Sequence, residues 1–136
     1  MGKTILIKMA ATVAVIFSLL TIVEGSQILF GITQLDYVVF TPLLIYNVAM
    51  AVAGLFIGVL IWLNHKKALM LTSIVTVLHL IVLIVVGVIH VSFDAVAMHS
   101  VQAMTIRTVI WLAITIVAWR INQSIEISSK KITANK

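Results

Sequence analysis

Residues 37–65 read YVVFTPLLIYNVAMAVAGLFIGVLIWLNH, and residues 68–93 read ALMLTSIVTVLHLIVLIVVGVIHVSF. Neither stretch holds an Asp, Glu, Lys or Arg, and only Lys66 and Lys67 part them. About 20 apolar residues cross a hydrocarbon core about 30 Å thick as a helix, so each stretch can span a bilayer. Helices are the expected form, because an open sheet edge leaves its N–H and C=O groups unsatisfied in lipid. Working outward, apolar runs at 9–32 and 101–119 add a first and a fourth span to those at 42–63 and 68–91. The chain is 10% charged, against about a quarter in soluble domains, which excludes an ordinary water-soluble globule. The expected fold is all-α, an integral membrane four-helix up-down bundle. Residues 1–120 form the transmembrane domain and 121–136 a polar, basic tail that should fray.

The net charge is +5, and where the charges fall explains it. Lys3 and Lys8 precede the first span, Lys66 and Lys67 join the second to the third, and Arg120, Lys130, Lys131 and Lys136 follow the fourth. Asp36 and Asp94 occupy the other two connections. Basic residues collect on the cytoplasmic side of short loops, which puts both termini in the cytoplasm. Trp62 and Trp119 fall at that interface and Tyr37 at the opposite one, as an aromatic belt requires. Basic residues so accounted for leave no nucleic-acid-binding face. Zero cysteines exclude disulfides and thiolate metal sites. The abundance of Ile and Lys suits an AT-rich prokaryotic genome, hence a prokaryotic cytoplasmic membrane.

The N-terminus has the outline of a secretory signal peptide, with Lys3 and Lys8 ahead of an apolar run and then Glu24-Gly25-Ser26. It lacks a small-x-small cleavage pattern and turns apolar again at residues 28–32, so it is expected to stay as the first span. Pro42 suits the start of the second span, with Thr41 as its N-cap. The short link at residues 64–67 makes the second and third spans antiparallel neighbours.

Polarity retained in lipid marks the candidate site. A charge near the centre of a membrane helix costs roughly 2.5–3.5 kcal/mol on insertion scales, yet Glu24 stands in the first span and Arg107 in the fourth. Asn47 and His79 occupy the other two. At a rise of about 1.5 Å per residue, Glu24 lies about 12 Å, Asn47 about 7–8 Å and Arg107 about 9 Å from the outer end of its span. His79 lies beneath them, about 18 Å in. First and last helices are neighbours in an up-down bundle, so Glu24 and Arg107 are expected to pair. Glu24, Gln27 and Gly31 fall on one face at i, i+3 and i+7. Asn47, Ala51, Gly54 and Gly58 share another, whose Gly-x-x-x-Gly permits close helix approach. The candidate ligand-binding residues are therefore Glu24, Gln27, Asn47, His79 and Arg107.

Other chemistries have weaker support. His79 and His90 are the intramembrane candidates for axial ligands of haem b, but both lie on the third span, so bis-histidine ligation would need a second chain. His90, Asp94 and His99, with Met98 and Met104, offer donors for a metal at the outer end, in no recognised spacing. A carboxylate in the first of four short helices is also found in small multidrug exporters, which suggests a proton- or ion-coupled transporter using Glu24; the surrounding pattern differs. A membrane-embedded enzyme or redox protein using His79, Glu24 and Arg107 would need a nucleophile or metal, and no Ser-His-Asp, HExxH or Asp-rich motif is present. The favoured expectation is a non-enzymatic accessory, assembly or small-ligand-binding protein. Its partners would be the lipid bilayer, another membrane protein or a copy of itself, and a lipid-like small molecule.

Overall fold

Small side chains point inward and large ones outward along the first helix, the reverse of a helix in a water-soluble bundle. On the first helix the buried residues are Ala10, Ala11, Ala14, Ser18, Thr21 and Gly25. Ile5, Leu6, Met9, Val13, Ile16, Leu19, Leu20 and Val23 are exposed around them. Water would penalise such an apolar exterior; lipid does not, and small residues let membrane helices pack closely. The computed structural model describes residues 2–34, 36, 39–93 and 96–134, with side chains through residue 123. Its helices are α1 (Gly2–Leu29), α2 (Thr41–Trp62), α3 (Ala68–Phe93) and α4 (Met98–Ala134). All four are long and apolar enough to cross a membrane, α4 over Met98–Gln123. There is no strand among the described residues.

The helices extend beyond the expected spans: α1 begins at Gly2 and α4 runs to Ala134. Charges end the lipid-compatible stretch but do not end the helix, and residues 120–134 contain neither Gly nor Pro. α1 stops at Leu29 because Gly31 takes φ +68. Ile32 N–H donates to the Gln27 carbonyl at 2.9 Å and Gly31 N–H to that of Ile28 at 3.1 Å. This is a Schellman cap with glycine at C′, so Gly31 is a helix stop and not part of an inward face. Thr41 is the first residue of α2; the N-cap is Phe40, which makes no side-chain cap bond, and Pro42 sits in the first turn. Asn64 turns the α2–α3 link at φ 51, a left-handed conformation that asparagine tolerates.

The buried positions Ala11, Ala14, Ser18, Thr21 and Gly25 recur by steps of three and four, as do Ala51, Gly54, Gly58 and Ile61 on α2. That is the period of a coiled-coil seam. A Cβ added at Gly58 would lie 2.7 Å from Val15 Cγ2 and 3.4 Å from the Ala11 carbonyl oxygen, so the Gly54–Gly58 face does bring two backbones together. Gly25 meets Val48 and Leu44, Gly54 meets Ser18, and Lys8 Nζ lies 5.6 Å from the centroid of the Trp62 ring. Contacts thus ascend α1 as they descend α2. On the other side Thr76 meets Thr115 and His79 meets Thr108, the same opposed register for α3 and α4. α1–α2 and α3–α4 are the extensive interfaces, with α1–α4 and α2–α3 closing the ring. α2 and α3 do touch, but the short link does not make them the closest pair.

Two apolar clusters fill the interior. Ala11, Ala14, Ile57, Ile61, Val75, Trp111 and Ile114 belong to one, and Leu43, Val86, Val96 and Met104 form the other. The polar residues of the candidate site come together beside Trp111 of the first cluster and Leu43 of the second.

Candidate functional site

At the seam of α1, α2 and α4 lies a cavity of about 150 Å³. Thr21, Glu24, Asn47, His99, Ser100 and Arg107 supply its polar wall, and Ile28, Val39, Phe40, Leu43 and Leu44 its apolar one. The first turns of α2 and α4 line it, and the positive ends of helix dipoles favour an anion nearby. Glu24 and Arg107 are thus brought to one cavity, but not into contact: no N···O distance of 4.0 Å or less joins them. Local geometry explains the gap. The buried seam of α1 passes through Thr21 and Gly25, so Glu24 is turned about 100° from Gly25 and is exposed at the rim. Gln27 is exposed as well and lines none of the cavities described here. The expected inward stripe of Glu24, Gln27 and Gly31 is replaced by Ser18, Thr21 and Gly25.

Beside the cavity is a void of about 10 Å³, lined by Phe17, Ser18, Thr21, Asn47, Met50, Ala51, His79, Arg107 and Trp111. Thr21, Asn47 and Arg107 border both spaces. Every helix sends polar groups to the void: Ser18 and Thr21 from α1, Asn47 from α2, His79 from α3 and Arg107 from α4. Ser18 Oγ, Asn47 Oδ1 and Arg107 Nε are sealed from solvent without a hydrogen-bond partner. Such orphans are rare in folded proteins, and leaving one costs about 1–3 kcal/mol. A void of this size is at the lower limit for one water molecule. Nε is the only nitrogen of Arg107 so sealed, and the guanidinium makes no bond to the described residues.

The chain matches no protein-family model, no curated protein and no solved structure. Function must therefore be argued from these side chains.

His79 is 2% exposed and held on several sides. Its Nδ1–H donates to the Val75 carbonyl at 3.0 Å, with the Tyr46 hydroxyl oxygen 3.3 Å from the same nitrogen. Its ring lies 5.7 Å from that of Tyr46 and 6.2 Å from that of Trp111, centroid to centroid. It lines the void together with Asn47 and Arg107 and does not reach the cavity. His90 Nδ1 donates to the Val96 carbonyl at 2.6 Å, tying α3 to the link before α4. His99 stands at the cavity rim, and Asp94 lies outside the described residues. Met104 is fully buried in the second apolar cluster, while Met98 is exposed. Among the described residues no three His, Cys, Asp or Glu are grouped to hold a metal.

Sequence reasoning missed Ser18, Thr21 and a threonine ladder between α3 and α4. Thr76 Oγ1 lies 2.7 Å from Thr115 Oγ1 and 3.1 Å from the Trp111 carbonyl oxygen, and Thr108 Oγ1 donates to the His79 carbonyl at 3.4 Å. The recurrence of Thr72, Thr76 and His79, and of Thr108 and Thr115, at helical spacing was the signal available.

Proposed function

We propose that this is a small, non-enzymatic multi-pass membrane protein that binds a lipid-like ligand carrying an anionic group, held by Arg107. One observation carries the reading: the guanidinium borders a cavity of about 150 Å³ with no hydrogen bond or salt bridge to the described residues, Glu24 standing off across the same cavity. A half-buried cation held off the nearest carboxylate is a cost that packing alone does not justify. Arg suits a carboxylate or phosphate because its planar fork gives two parallel N–H donors. The first turns of α2 and α4 add partial positive charge, and the wall formed by Ile28, Val39, Phe40, Leu43 and Leu44 suits an acyl or isoprenoid segment. In this reading the bundle is up-down with both termini cytoplasmic, and the pocket opens toward the outer leaflet of a prokaryotic cytoplasmic membrane. The exposed Leu, Ile and Val around all four helices face the acyl chains.

The test is ligand-dependent stabilisation of the purified protein. A lysophospholipid with a single phosphate, at about a hundred times its dissociation constant, should stabilise the chain by about 2.7 kcal/mol. Arg107→Met should fold and show no such gain. Equal stabilisation of both proteins would refute the assignment of Arg107 as the anion-binding group.

A further inference from the structure

Resting on that reading, we propose that the ligand is a zwitterion, with its anionic group on Arg107 and its ammonium group on Glu24. The two side chains line one cavity with opposite charge, yet do not touch. Their separation is set by backbone placement: Arg107 reaches inward to the void with Nε, while Glu24 stands off the α1 seam at the rim. Donor and acceptor capacities then define the guest. Arg107 only donates and an ionised Glu24 only accepts, so a complete guest brings acceptors with negative charge to one and donors with positive charge to the other. A simple anion would meet Arg107 but be repelled by Glu24, and a simple cation would meet the reverse. A cavity of comparable volume accepts benzene, so about six heavy atoms fit, the scale of a small amino acid or of most of a phosphoethanolamine group. The flanking Ile28, Phe40 and Leu44 suit the apolar end of a lipid with such a headgroup.

Binding of three probes to the full chain in detergent tests this: lysophosphatidylethanolamine, lysophosphatidylglycerol and free O-phosphoethanolamine. The wild-type protein should prefer the ethanolamine lipid to the glycerol lipid by on the order of ten-fold, the worth of one charge-assisted hydrogen bond. Glu24→Gln alters an exposed side chain and should fold; it should erase that preference by strengthening glycerol-lipid binding. Free O-phosphoethanolamine matching the lysolipid would identify a soluble zwitterion as the ligand. Free O-phosphoethanolamine binding far more weakly would identify a lipid headgroup. Either result supports the zwitterion. Equal binding of the two lipids in both proteins would overturn the Glu24 role while leaving Arg107 as an anion site. No binding of any probe would overturn the pocket reading as well.

Discussion

Adding one methyl group at Gly54 would put a Cβ 2.6 Å from Ser18 Oγ, 2.7 Å from Trp111 Cζ2 and 3.2 Å from Trp111 Cη2. Ser18 is 2% and Trp111 3% exposed, so neither has room to swing aside, and both border the polar void. Overpacking of this kind costs about 1–3 kcal/mol. Alanine recovers about 0.5–1 kcal/mol of helix propensity relative to glycine, leaving Gly54→Ala destabilised by up to about 2.5 kcal/mol. Gly87 on α3 is the internal control, because a Cβ there would meet nothing within 4 Å; Gly87→Ala should keep the propensity gain in full. Equilibrium unfolding in mixed micelles, followed by far-ultraviolet circular dichroism, should therefore order the proteins as Gly87→Ala, wild type, Gly54→Ala. If Gly54→Ala matched or exceeded Gly87→Ala, the close meeting of α1, α2 and α4 at the void would be refuted.

Three more outcomes follow from the same geometry. Glu24→Gln should change unfolding stability by less than about 1 kcal/mol, since the carboxylate is exposed and not in a contacting pair; a loss above about 3 kcal/mol in the same unfolding assay would restore a buried ion pair. Arg107→Met should be as stable as wild type or more so, because it removes a half-buried cation that makes no hydrogen bond or salt bridge to the described residues, and thermal denaturation in detergent checks this. Thr76→Val keeps the shape but deletes the hydroxyl between α3 and α4, and should cost about 0.6–1.7 kcal/mol in the unfolding assay, the range found for interhelical hydrogen bonds in membranes.

The four helices were legible because uncharged length is a direct reading of bilayer thickness, and the Asn47, Ala51, Gly54 and Gly58 face was legible because polar and small residues recur on it at helical spacing. The same reasoning failed on α1. Treating Glu24 as inward-facing assumed that the most polar residue marks the buried seam, whereas Ala11, Ala14, Ser18, Thr21 and Gly25 mark it by being small. Gly31 was grouped by periodicity, although a glycine near the end of an apolar run is equally a helix stop. Ser18 and Thr21 escaped notice because a hydroxyl in an apolar run carries no charge signal, yet both line the void. The separation of Glu24 and Arg107 could not be read in advance, since helical spacing gives the face and depth of a side chain but not the gap across an interface.

Because the chain has no cysteine, a single introduced thiol reports on one site without background. Ser100→Cys places it on the cavity wall and Ser18→Cys at a position only 2% exposed. In intact cells, a membrane-impermeant maleimide should label Ser100→Cys from the outer side, more slowly once a binding lysolipid is added, and should leave Ser18→Cys unlabelled. Labelling of Ser100→Cys only from the side that carries the termini, or at a rate no added lipid changes, would contradict an outward-opening ligand pocket.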